Sequence, residues 1–247
     1  MKSKKIELEG LANTRDLGGI VNKEGKKIRE KRLLRSGALY WAKGSDMQTL
    51  YNEYHLRYVI DLRDYDEAER SPEPQYRDIE FFQYPVFAER KEGISREKGD
   101  KEDFSVILRE LSGKPDKIIE FMSRTYEQIA STPEAKKTYH DFLKFLLRDP
   151  EGSVLWHCSL GKDRCGIATV LLLTLLDVDE DTIREDYMYT NACFNFSKER
   201  PTYYFDCTVE QYLDRYLAAA GDLDEYIEKE LKITKDDKEK LKALYLE

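Results

Sequence analysis

Ser153-Val-Leu-Trp-His157-Cys158-Ser159-Leu160-Gly161-Lys162-Asp163-Arg164-Cys165-Gly166, running on into Ile167 to Leu176, is the stretch whose reading decides the fold. Ser153 to His157, entered from the Pro150/Gly152 turn, reads as a short buried strand. The nearly unbroken apolar residues from Ile167 onward predict a buried helix. The loop between them therefore sits on a helix N-terminus, where free backbone N–H groups and the positive end of the helix dipole make an anion site. Cys158 and Arg164 stand at its two ends.

Those two residues point to a reaction. The reactive form of cysteine is the thiolate, which a helix N-terminus and cations such as Arg164 and Lys162 favour. Arg164 can grip two phosphate oxygens through its planar fork, while the N–H groups from Ser159, Leu160 and Gly161 through Lys162, Asp163 and Arg164 form a nest for the remaining charge. A thiolate below such a cradle is in line with phosphorus. The pattern predicts two-step phosphoryl transfer through a phosphocysteine that water then hydrolyses.

His157-Cys158, five residues and Arg164 resemble the signature loop of the cysteine-dependent protein tyrosine phosphatase superfamily. The fuller form His-Cys-x-x-Gly-Lys-Asp-Arg is similar to the bacterial atypical members that act on phosphotyrosine, phosphoserine/threonine and phosphoinositides. Asn13-Thr-Arg15-Asp16-Leu-Gly18-Gly19, Leu34-Arg35-Ser36-Gly37 and Val59-Ile-Asp61-Leu-Arg63 follow the same pattern, so the resemblance spans roughly residues 9 to 191. It implies that Asp163 is the general acid that protonates the leaving group. On the residues alone, Asp61 and Asp64 beyond the end of a strand are rivals for that task. His157 either sits as a satisfied core histidine or hydrogen-bonds the loop in support of Cys158. Lys162 adds a second cation, which makes phosphoinositides a second substrate class behind phosphotyrosine-type monoesters. Cys165 is a departure: the family usually has a hydroxyl residue there, donating to the cysteine sulfur, and a thiol is a weaker donor. Two close sulfurs, Cys158 and Cys165, could also form a disulfide that turns the enzyme off.

With 247 residues, 40% hydrophobic and 36% charged, the chain is long enough for one α/β domain with a mainly parallel sheet flanked by helices. A formal net charge of −8 argues against general nucleic-acid binding. No apolar run follows Met1-Lys-Ser-Lys-Lys5, and Ile167 to Leu176 is too short to span a bilayer, so a cytoplasmic protein without stable membrane insertion is expected. Four cysteines without paired short spacings predict reduced thiols, no zinc and no cofactor.

Along the chain, residues 1–9 predict a loose or edge segment, and Asn13 to Gly19 a structured loop in which Arg15 or Asp16 either braces the catalytic loop or makes a simple turn. Short strands are expected at Ile20-Val21 and Arg32 to Arg35, and Ser45-Asp-Met-Gln48 has the form of a capping box for a helix over 46–55. Tyr58 to Leu62 reads as a buried strand whose C-terminal rim carries Asp61 and Arg63, the latter suited to bind phosphate or anchor the loop. Ile79 to Tyr84 reads as another strand, and residues 88–113 as a candidate lid. Helices follow over 114–131, from Pro133, over 179–191 and, behind a Thr208-Val-Glu-Gln211 cap, through a helical appendage at 207–247. Phe194 to Tyr204 is an aromatic loop that either walls a pocket or packs. Two readings compete with hydrolysis: sulfur transfer from a persulfidated Cys158, and a phosphate-binding module without turnover.

Overall fold

The computed structural model describes residues 3–87, 110–195 and 203–247; most of the candidate lid and most of the aromatic loop lie outside them. Its centre is strand β6, Ser153–His157, whose five residues are all buried. The other strands are β1 (Lys4–Lys5), β2 (Arg15–Asp16), β3 (Leu33–Ser36), β4 (Leu56–Asp61) and β5 (Glu80–Gln83). They form a six-stranded sheet in the order β1-β2-β3-β6-β4-β5. β3, β6, β4 and β5 run parallel, and β1 and β2 add an antiparallel edge.

Burial on both faces explains why β6 reads as a continuous apolar run. Val154 and Trp156 point into the larger hydrophobic core, and Leu155 into a smaller one with Leu34, Met47, Leu50 and Val59. Helix α1 (Gly44–Asn52) covers the smaller side. The larger is filled by α3 (Pro115–Ser131), α4 (Pro133–Leu146) and α5 (Arg164–Leu175), after the short α2 (Tyr65–Arg70). α6 (Glu180–Phe194), α7 (Tyr203–Asp206), α8 (Glu210–Ala220), α9 (Leu223–Lys229) and α10 (Lys235–Tyr245) complete the described helices. The last three are not peripheral: Tyr212, Tyr216, Tyr226, Leu241 and Tyr245 join the same core as Trp156.

Register sets the site. His157 pairs with Ser36 on one side and Asp61 on the other, so three parallel strands end level with each other. Local expectations shift in places. Val21 makes only an isolated bridge to Lys27 and no strand, because Asn22 turns the chain by accepting from the N–H groups of Glu24 and Lys26. α1 is capped at Lys43, with the Asp46 carboxylate accepting from the Lys43 N–H at 2.9 Å and from the Glu9 and Gly10 N–H groups. α8 is capped at Val209, not Thr208, whose N–H is held instead by the Asn191 side chain.

Candidate active site

The turn from β6 to α5 places Cys158 just beyond the strand and Arg164 at the first turn of the helix. Gly161 permits the turn: its φ is +67°, and a Cβ there would lie 2.3 Å from the Ser36 carbonyl oxygen. The loop is clamped from outside. Asn13 Nδ2 donates to the carbonyls of Leu160 (3.0 Å) and Gly161 (3.1 Å), Arg35 Nη2 donates to Gly161 O (2.9 Å), and the Ala38 N–H donates to Ser159 O (3.1 Å). Each clamp takes a loop carbonyl, which leaves the anion-binding character of the loop to its N–H groups.

One flank of the loop is an ion network. Arg63 grips both oxygens of Asp61, through Nε at 2.9 Å and Nη2 at 2.8 Å, and its remaining donors go to Ser71 O and Glu73. Burial opposes the Arg63 charge, yet Asp61 and Glu73 raise its pKa. Burial pushes the Glu73 carboxyl upward against the pull of His157 and Arg63. His157 is fully buried, with Nδ1 3.2 Å from Cys158 O and Nε2 3.3 Å from Glu73 Oε1. Ligand atoms of Asp61, Glu73 and His157 lie within 4.8 Å of one another, a spacing that suits a cation. The Arg63 guanidinium already supplies that charge.

The opposite flank holds Arg164. Glu67, in the first turn of α2, accepts from Arg164 Nη1 at 2.5 Å and Nη2 at 3.0 Å, and also from the Ser159 hydroxyl. Burial opposes the Glu67 charge most strongly, but Arg164 and Ser159 overcome it and hold the carboxyl far below the usual range. These contacts leave Nε–H and an Nη1–H of Arg164 for another acceptor. Asp163 sits at the N-cap without capping the helix; its carboxylate accepts from Tyr126 at 2.7 Å and pairs with Lys162 at 3.0 Å. Tyr187 in turn donates to the Tyr126 hydroxyl at 2.8 Å. Lys162 is only 3% exposed.

A family model described as the tyrosine phosphatase family matches residues 6–247. The chain belongs to that family. This tyrosine phosphatase family chain is 28% identical over 190 residues to a provisionally named tyrosine-protein phosphatase of Cupriavidus necator, across 75% of its own length and 63% of the relative's. It thus spans less than two thirds of that relative. In shape it is similar to the core catalytic domain of an S. cerevisiae PP-IP phosphatase crystallised with citrate, over 87% of this chain and 94% of the other. At 12% identity and a TM-score of 0.32 that likeness carries no argument.

The phosphatase family chain does not bring every expected residue to the loop. Asp16 holds its own turn, accepting from the Gly18 and Lys31 N–H groups, and burial raises its pKa. Arg15 donates to Asp186 O and Thr190 on α6; Asp186 also pairs with Arg35, which reaches the loop directly. Arg63 is held by Asp61, Glu73 and Ser71 O. Cys165 Sγ lies 3.5 Å from Trp156 O, and burial pushes its thiol up to about 12. Sequence reasoning missed Glu67, Glu73, Asn13 and Tyr126. Glu67 had a signal, since Asp64-Tyr-Asp-Glu67 is the spacing of a capping box that the structure forms. Tyr126 had a weaker one: a tyrosine on a buried helix face needs a partner for its hydroxyl.

Proposed function

We propose that this chain is a metal-independent phosphomonoester hydrolase that works through a phosphocysteine on Cys158, with phosphotyrosine-type esters as its first substrate class. One observation carries the reading: Cys158 and Arg164 share a loop at a helix N-terminus whose carbonyls are clamped away and whose arginine keeps two donors for an oxyanion.

The phosphate rests on the loop N–H groups and on Nε–H and Nη1–H of Arg164, with phosphorus above Cys158 Sγ. Thiolate attack forms the S–P bond as the P–O bond breaks, and the departing oxygen takes a proton from Asp163. Asp163 then accepts a proton from the water that attacks phosphorus, releasing inorganic phosphate and the thiolate. Asp163 is favoured over its rivals by their commitments. Asp61 is chelated by Arg63, and Asp64 caps α2 by accepting from the Glu67 N–H at 2.8 Å. Lys162, buried and paired with Asp163, supports a monoester in preference to a polyanionic headgroup. Cys165 favours a second, slower regime, in which its thiol serves Trp156 O and the phosphocysteine is hydrolysed sluggishly.

Steady-state release of p-nitrophenol and phosphate from p-nitrophenyl phosphate, in EDTA and reductant, tests the reading. Many turnovers are expected, with Cys158→Ser falling by at least about 10⁴-fold. Turnover that survives the substitution removes the cysteine mechanism. A single burst would assign the chain to phosphate binding.

A further inference from the structure

The exposed large hydrophobic side chains among the described residues are Tyr40 (45%), Trp41 (64%) and Leu160 (39%). Leu160 is distant in sequence from the adjacent Tyr40 and Trp41, yet the segments that carry them meet. Leu160 is a residue of the phosphate loop itself, two places after Cys158. Tyr40 and Trp41 lie in the 3₁₀ turn Leu39–Trp41, which follows β3 at the level of His157.

That turn and the loop are built against each other. The Ala38 N–H donates to Ser159 O, and a Cβ on Gly37 would lie 3.3 Å from Ser159 O and 3.5 Å from the carbonyl carbon of Leu160. Residues 10–13 back both: a Cβ on Gly10 would strike Trp41 O, and the Asn13 amide holds Leu160 O. Tyr40 and Trp41 stand edge to face, ring centroids 5.0 Å apart at 83°, so they brace each other as a rigid pair. The other large apolar groups among the described residues are, by contrast, buried or half-buried.

Isolated exposed apolar side chains need no explanation, but a cluster beside a binding loop marks a contact surface. We infer that Tyr40, Trp41 and Leu160 form a docking rim for the apolar side chain that flanks the phosphorylated residue of a protein substrate. The inference rests on the phosphatase reading of Cys158. Continuity decides the occupant: a chain whose phosphate lies in the loop must cross the loop's edge, where Leu160 begins the rim. A membrane surface fits less well, because an interfacial anchor draws on basic flanks and this chain carries a net charge of −8. Aromatic rings with few rotors are also the side chains that give peptide contacts most of their energy.

The experiment compares wild type with Trp41→Ser and Tyr40→Ser on phosphoinositide vesicles and on three soluble probes. They are p-nitrophenyl phosphate, a phosphotyrosyl peptide with Leu on both sides of the phosphotyrosine, and the same peptide with Gly there. Wild type is expected to prefer the Leu peptide by about tenfold in kcat/KM, the low end of what an apolar contact discriminates. Trp41→Ser should erase most of that preference through KM, with p-nitrophenyl phosphate turnover kept within about twofold. Both positions are exposed, so the variants fold. Equal use of the two peptides by an active wild type overturns the rim and leaves the phosphatase reading standing. Parallel loss on all three probes overturns it too, by making the turn a support for the loop. Selectivity kept in both variants, with loss only of turnover on phosphoinositide vesicles, would assign the rim to a lipid surface. No turnover of any probe by wild type removes both readings.

Discussion

The two flanks of the loop from Cys158 to Arg164 are built from the same residue types, carboxylates and cations, and differ in what is left over. On the β4 side Asp61, Arg63, Glu73 and His157 pair with one another, and the most exposed of their side chains shows 11%, although Glu73 Oε2 and His157 Nε2 make no hydrogen bond. On the α2 side Glu67 and Asp163 are 24% and 22% exposed, and Arg164 retains donors after meeting Glu67. A closed network fixes geometry, because removing any member strands a buried charge. An open one keeps capacity for a ligand. The lesson is that charge in this site divides by burial into a part that holds the loop and a part that can meet substrate.

Breaking the closed flank should show first in stability. Glu73→Ala leaves Arg63 and His157 facing an empty position, and a loss of roughly 3 kcal/mol is expected from the urea midpoint at constant m. A variant as stable as wild type but slower would mean that the β4 side acts in catalysis as well as support.

Opening the other flank should show in turnover. Glu67→Gln keeps the shape and removes the charge that orients Arg164, and kcat/KM should fall by about a hundredfold, the scale of a misplaced catalytic group. The same substitution sharpens the comparison through pH. Glu67 is held below its ordinary value, so its stabilisation is fully present above about pH 4.3 and is lost as the pH falls from there towards the folded value. Denaturant midpoints between pH 7 and pH 3 should therefore slope less steeply in Glu67→Gln than in wild type.

The smallest effect separates Asp163 from its neighbours. Tyr126→Phe removes only the hydroxyl that holds Asp163, while the ring keeps its stack on Tyr212 at 5.4 Å. Phenyl phosphate, whose leaving group needs a proton, should lose about tenfold in kcat, and p-nitrophenyl phosphate much less. Equal losses on both would place the effect on loop geometry and not on proton transfer.

Much of this was legible beforehand where the signal is local. Ser153–His157 is a strand because three apolar residues, Val154 to Trp156, follow a turn, and α5 is a helix because nothing in Arg164–Leu175 interrupts it. Asp16 could not be placed that way, since a turn carboxylate and a loop brace have the same local pattern, and Lys31 N–H settles the matter from fifteen residues away. The Ser45 to Gln48 box failed for a related reason. Asp46 was recruited by the backbone of Glu9 and Gly10, and the helix start moved to suit it.

By itself, then, the sequence determined the strand, the loop and the helix with Cys158 and Arg164 at the loop's ends, because chain connectivity and side-chain period act over a few residues. Tertiary structure alone decided that Glu67 would meet Arg164 across 97 positions, that Tyr126 would hold Asp163 across 37, and that Arg63 would meet Glu73. Those choices follow from the parallel pairing of β4 with β6 and the packing of α3 over α5's N-terminus, which bring distant charges together where burial makes an ion pair or hydrogen bond worth forming.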